Sequence, residues 1–249
     1  MSLAARIDVM ADAAFPPSRA TELDGWILRA DDGTHRRNRS VWARAGNGDR
    51  LAERIARAEE WYAGRGLPAR FQITPASCPP GLEDELDARG YEVDGPSFVW
   101  TGELAALGAP RDPVEIAERP DERWLRASGA DATVLGRVAV PSAYARSEPA
   151  TGRGTLHGEW LGIYEVATQP EARRQGAASA IVAALAAWGL ERGARRAYLL
   201  VLEDNAPAHA LYARLGFSRA YGYRYLVREL SSRGSRTDRP GPGPRRQPS

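Results

Sequence analysis

The 249-residue chain is 43% hydrophobic and carries 34 basic against 32 acidic residues, a net charge of +2. That composition supplies an ordinary buried core and is too evenly balanced to argue for nucleic acid as the main partner. No apolar run reaches the ~18 residues of a membrane span, no basic segment leads into an apolar stretch at the N-terminus, and the lone Cys78 offers neither an internal disulfide nor a thiolate metal cluster, so a cytoplasmic protein is expected.

Taken in chain order, apolar runs at residues 26–30 and 40–44 predict strands. A helix follows in which Leu51, Ile55, Ala58 and Trp61 or Tyr62 recur at spacings of three and four. Residues 70–74 read as a strand, 82–88 as a short helix and 91–100 as a closing strand or hairpin. Residues 103–113 hold Gly108, Pro110 and Pro113 with little periodicity and predict a linker. Beyond it, strands are expected at 114–118, 133–140, 158–168 and 196–202, with a helix at 121–128. Residues 231–249 contain no Leu, Ile, Val or aromatic side chain, so a disordered tail is expected.

The two parts read as an internal repeat. Trp61 and Gly66 recur as Trp188 and Gly193, and the pair Gly90 and Tyr91 recurs as Gly216 and Phe217. In both places a helix ends near a glycine, a strand follows, and a short helix closes with glycine and an aromatic.

Two segments carry chemistry. Residues 166–178 run from a strand end through a turn into a strong helical pattern. A helix start leaves backbone N–H groups without intrahelical partners and carries partial positive charge, which suits a phosphate. Gly176 with the small Ala177 and Ala178 allows close approach, Gln175 and Ser179 flank it, and Arg173 with Arg174 adds charge that opposes the helix dipole. The second segment, residues 205–217, has Asn205 as an N-cap, Pro207 in the first turn and Gly216 as a stop. Ala208, Leu211, Tyr212 and Leu215 share one face.

The run Arg173–Gln175–Gly176–Ala178 resembles the Q/RxxGxG/A signature of the GCN5-related N-acetyltransferases, and residues 205–217 resemble that family's NxxAxxLYxxxGF helix. The resemblance implies an α/β acyl-CoA N-acyltransferase fold, a mixed and mostly antiparallel sheet flanked by helices. Residues 114–230 would be the catalytic domain, preceded by a smaller degenerate half at residues 1–102. That half lacks a phosphate loop, since Gly46 and Gly48 are followed by Asp49, and it has Leu86 where the repeat places Tyr212.

Further implications concern the site. Acetyl-CoA would be the co-substrate, its pyrophosphate on residues 173–179 and its pantetheine along Val166, Ala167 and Thr168, beside Asn205 and Ala208. Tyr212 would protonate the departing thiolate; its other reading is a core tyrosine. Glu165 is the candidate base on the same strand, with a structural role as its alternative. The expected activity is transfer of an acetyl group to a primary amine of a small molecule or amino acid by direct attack in a ternary complex. A non-catalytic acyl-CoA-binding sensor is the alternative. No metal is expected, because His35, His157 and His209 lack ligand spacing; His209 is expected on the surface. The expected partners are acetyl-CoA and a small amine, without nucleic acid or membrane, and a homodimer is allowed.

Overall fold

The computed structural model describes residues 1–110 and 112–230, so the tail expected at 231–249 lies outside the described residues. Eleven strands form one sheet in the order β1-β2-β3-β4-β11-β5-β10-β9-β8-β7-β6. They are β1 (Arg19–Leu23), β2 (Trp26–Ala30), β3 (Val41–Ala43), β4 (Ala69–Ile73), β5 (Glu92–Glu103), β6 (Glu115–Ala117), β7 (Ser142–Arg146), β8 (Ala150–His157), β9 (Trp160–Thr168), β10 (Arg196–Leu202) and β11 (Ser218–Arg228). Helices α1 (Leu3–Ala14), α2 (Leu51–Ala63), α3 (Leu82–Ala88), α4 (Glu122–Ser128), α5 (Ala132–Leu135), α6 (Ala177–Glu191) and α7 (Ala206–Arg214) flank it.

The pairing is mixed and mostly antiparallel, as the resemblance implies. Only β3 with β4 and β9 with β10 run parallel among the described residues. Each parallel pair is joined through a helix, α2 or α6, because parallel neighbours need a crossover connection. The repeat is therefore visible in space. Gly66, Gly90, Gly193 and Gly216 all have positive φ and close equivalent helix ends.

The last strand of each half lies across the middle of the molecule. β11 pairs with β4 on one side and β5 on the other, and β5 in turn pairs with β10. Each half thus completes its sheet with the strand that the other half supplies. The segment expected as a linker begins with the last residue of β5 and continues into a 3₁₀ turn at Leu104–Leu107. Leu104 is 1% exposed and packs in the same core as Leu161, Leu185 and Trp188.

α6 shows how composition sets packing. Its sequence AASAIVAALAAWGLE buries Ile181, Val182, Leu185 and Trp188, each contributing about 1.5–3 kcal/mol through apolar burial. The alanines between them keep the helix thin, and β8 meets it with glycine. A Cβ on Gly152 would lie 2.5 Å from Ile181 Cγ2, so that position admits no side chain without displacement.

Several expected elements need correction. Residues 133–140 form no strand: Asp131 accepts from Thr133 N at 2.8 Å and starts α5 instead. β9 begins at Trp160, because Gly158, with φ 59°, lies in the turn between β8 and β9. α1, β1, β7, β8 and β11 are additional elements.

Candidate active site

β9 and β10 run parallel only as far as the partners Ile163 and Leu199. Beyond that point they part. The cause lies on the other edge of β9, where the register with β8 shifts between Thr151↔Ala167 and Arg153↔Tyr164. Glu165 and Val166 thus oppose Gly152 alone. Glu165 takes a left-handed φ of 50°, which a bulge can require and which bends the strand. Val166, Ala167 and Thr168 follow, half-buried, along the opened edge.

At the end of β9, Pro170–Ala172 makes a 3₁₀ turn and Gln175 Nε2 donates to Glu171 O at 3.0 Å. Gly176 then adopts φ 94° as the N-cap of α6, with no side-chain cap and no acidic residue in the first turn. The N–H groups that begin α6 therefore stay free for a ligand. A Cβ on Gly176 would meet nothing within 4 Å, so the space above the loop is open. Arg173 and Arg174 are exposed beside it, while Ala177, Ala178 and Ser179 are half-buried. These features fit a pyrophosphate.

The matching place in the N-terminal half differs in its lining: a cavity of about 540 Å³ there is bounded by Asp24, Asp49, Glu53 and Arg54. α2 begins after Arg50 and has Glu53 in its first turn. Arg54 lies beneath the loop: a Cβ on Gly46 would come within 2.3 Å of its Nη1. Glu53 in the first turn and Arg54 against the loop thus distinguish this helix start from that of α6.

Asn205 caps α7 by accepting from Ala208 N at 3.2 Å. Ala208 packs against the core that contains Ile163, Leu199, Val201 and Tyr212. Tyr212 is 7% exposed, and burial pushes its phenol up to about 12. His209 is half-buried rather than on the surface. Its ring stacks on Trp100 at 5.5 Å, and its Nε2 lies 3.0 Å from Leu202 O.

On the N-terminal half's side of the opening is a cavity of about 520 Å³, lined by Glu165, Leu200, Arg37, His35, Tyr223 and Tyr225 among others. Tyr212 is not part of this wall. Arg153, with no exposed surface, donates to both oxygens of Glu165, at 2.5 Å and 3.2 Å. The same guanidinium donates to Ala14 O at 2.9 Å and lies over the rings of Phe15 and Tyr164. Glu165 is thereby fixed at the cavity edge. His35 stacks on Phe15 at 4.3 Å with its open surface toward the cavity. Desolvation and the guanidinium groups of Arg37, Arg153 and Arg29 push it down to about 4, so it is neutral at physiological pH.

Sequence reasoning located the loop, Glu165 and α7, but not Arg153, Arg37 or His35. The one local signal was the density of charge in residues 31–40, which lie between two strands.

The family described as "probable histone acetyltransferase Rv0428c C-terminal" matches residues 5–226. The chain is similar to the "uncharacterized N-acetyltransferase YobR" of Bacillus subtilis (strain 168), 28% identical over 262 residues that cover 90% of this chain and 98% of the relative. Among solved structures it resembles a GCN5-related N-acetyltransferase from Kribbella flavida, with a TM-score of 0.69, 20% identity, and coverage of 91% of this chain and 96% of that one. It also resembles a tandem GNAT protein from the clavulanic acid biosynthesis pathway, with a TM-score of 0.62, 16% identity, and coverage of 90% and 87%. The structural likenesses carry the α/β fold and its two-part arrangement.

Proposed function

We propose, proceeding from the fact that this chain belongs to the GCN5-related N-acetyltransferases, that it transfers the acetyl group of acetyl-CoA to a primary amine of a small molecule or amino acid while both substrates are bound. The observation that carries this reading is the parting of β9 and β10 beyond Ile163 and Leu199. An open loop at the start of α6 stands at one end of the opening, and a cavity lined by Glu165 and Arg37 lies beside it.

In this reading the loop at residues 173–179 holds the pyrophosphate through backbone N–H groups and Arg173 and Arg174. The backbone of Val166, Ala167 and Thr168, left free of β10, aligns pantetheine, with Asn205 and Ala208 on its other side. The amine enters from the cavity and its nitrogen attacks the thioester carbonyl carbon. The C–S bond breaks and the sulfur takes a proton from Tyr212 Oη. The proton lost by the nitrogen passes to Glu165, directly or through water. Burial holds the Tyr212 phenol protonated, so a proton is present when the thiolate forms.

Calorimetric titration with acetyl-CoA, followed by a thiol-release screen over amino acids, polyamines, aminoglycosides and short peptides, tests this. Binding with turnover on one amine class is the expected result. Binding without turnover would favour a sensor, and no binding would overturn the assignment of the loop.

A further inference from the structure

The cavity beside Glu165 is lined by a buried cation. Arg37 stands on a 3₁₀ turn, Arg37–Arg39, between β2 and β3, and is 2% exposed. Its Nη1 donates to Gln72 Oε1 at 3.1 Å, and that oxygen also accepts from Arg29 Nη2 at 2.8 Å. Arg37 lines the cavity yet forms no ion pair among the described residues.

Asp8 attracts Arg37 without forming an ion pair with it, and Asp12, Glu165 and Asp94 are paired with other guanidinium groups. Asp8 accepts from Gln72 Nε2 at 2.9 Å through one oxygen and from Thr74 Oγ1 at 2.8 Å through the other. Asp12 pairs with Arg29 at 2.7 Å, and Glu165 with Arg153. Asp94 is held by Arg36 and Arg70. A guanidinium this deep, with a neutral amide as its hydrogen-bonded neighbour, carries a desolvation cost that a ligand anion would offset.

The cavity brings charged groups of both halves together. Glu165, from the C-terminal half, is paired with Arg153, and its 17% exposed carboxylate keeps lone pairs that an ammonium can meet. Arg37, from the N-terminal half, presents a planar fork of donors matched to an oxyanion. We propose that the acceptor is an amine that also carries an oxyanion, seated on Arg37, and that the N-terminal half thereby selects the substrate. This rests on the acetyl-transfer reading above and gives the half without a phosphate loop a function in the same site.

The test uses matched acceptors with the native protein: L-leucine, L-aspartate and L-phenylalanine, each against its carboxamide, and O-phosphoethanolamine against ethanolamine. Steady-state thiol release gives kcat/KM for each, and acetyl-CoA binding is measured separately. A preference of about 30-fold or more for the oxyanion-bearing member is expected, in line with the loss of one buried charge-paired contact. The carboxylate and phosphate arms distinguish which oxyanion is recognised. In Arg37→Gln the preference should fall toward unity while the acetyl-CoA Kd stays within about twofold, and Arg37→Lys should recover part of it. Equal turnover of both members by the native protein would overturn the inference and leave acetyl transfer standing. A preference that survived Arg37→Gln would overturn the assignment to Arg37. Acetyl-CoA binding with no turnover of any acceptor would overturn the transfer reading, and this inference with it.

Discussion

Leu86 and Tyr212 occupy the same place in the two halves of the molecule. Each lies in the short helix that precedes a half's last strand, and each gives its carbonyl to the N–H of the aromatic after a positive-φ glycine. Tyr91 N reaches Leu86 O at 3.2 Å, and Phe217 N reaches Tyr212 O at 3.0 Å. Leu86 is fully buried in its core, whereas Tyr212 brings a hydroxyl into the corresponding core of the other half. One fold position thus carries an apolar side chain in one half and a hydroxyl in the other.

Tyr212→Phe should therefore lower kcat by about 10²-fold or more, within the usual range for losing a positioned acid. It should leave the acetyl-CoA Kd and the melting temperature nearly unchanged, because the buried ring is kept. With the phenol pushed up to about 12, the native kcat should show no alkaline loss assignable to this group below about pH 10. Native turnover in the Phe variant would remove Tyr212 from the acid role.

Arg173 and Arg174 are exposed, so reversing their charge has little structural cost. Arg174→Glu should raise the acetyl-CoA Kd by about tenfold, the scale of one charge-assisted contact. Raising the salt concentration should narrow the gap between variant and native protein. Titration calorimetry at two ionic strengths reads both effects.

The Arg153–Glu165 pair predicts a non-additive result. Arg153→Met leaves a carboxylate at the cavity edge without its partner and should destabilise the fold by about 3–5 kcal/mol. Adding Glu165→Gln to that variant should recover much of the loss, whereas additive effects in urea unfolding would mean that the two side chains are not energetically coupled. Glu165→Gln alone should lower kcat/KM for the amine without changing acetyl-CoA binding.

His157 sets a pH limit on stability. Burial pushes it from 6.5 down to about 4, and its Nε2 lies 3.0 Å from Thr155 Oγ1. Between these two values the unfolded chain binds more protons than the native one, so stability falls as pH drops from 6.5 toward 4. Urea midpoints at pH 7 and pH 5 should differ less in His157→Gln than in the native protein.

Gly152→Val tests the close contact of α6 with β8. The added side chain meets Ile181, and a loss of about 1–3 kcal/mol is expected from overpacking. An unchanged melting temperature would show that α6 can shift at no cost.

Much of this was legible locally. α3 and β10 coincide with the expected residues because alternation and helical spacing are short-range signals. α7 could be read from Asn205 and Gly216, whose roles are stereochemical. α1 could not, because Asp8 is buried on its inward face, where it meets Gln72 and Thr74 from a distant strand. β8 was not expected, because Gly152 and Gly154 interrupt its strand pattern to leave room for α6, a requirement set by another element. The loop at residues 173–179 was legible because its residues are contiguous. Arg37 was not, since its place beside Gln72 and Arg29 arises only when β2, β4 and the 3₁₀ turn come together.

The crossing of β5 and β11 also bears on synthesis. While the chain emerges, β4 has no neighbour on its inner side until residues near 224–228 are made, since those residues pair with it. The N-terminal half cannot then fold to completion and wait for its sequel, as successive domains commonly do. The long sequence separation of this pairing makes folding slow relative to a helical protein of equal size. The two halves should melt in one cooperative transition, and the chain should depend on chaperones most while that edge of β4 is bare.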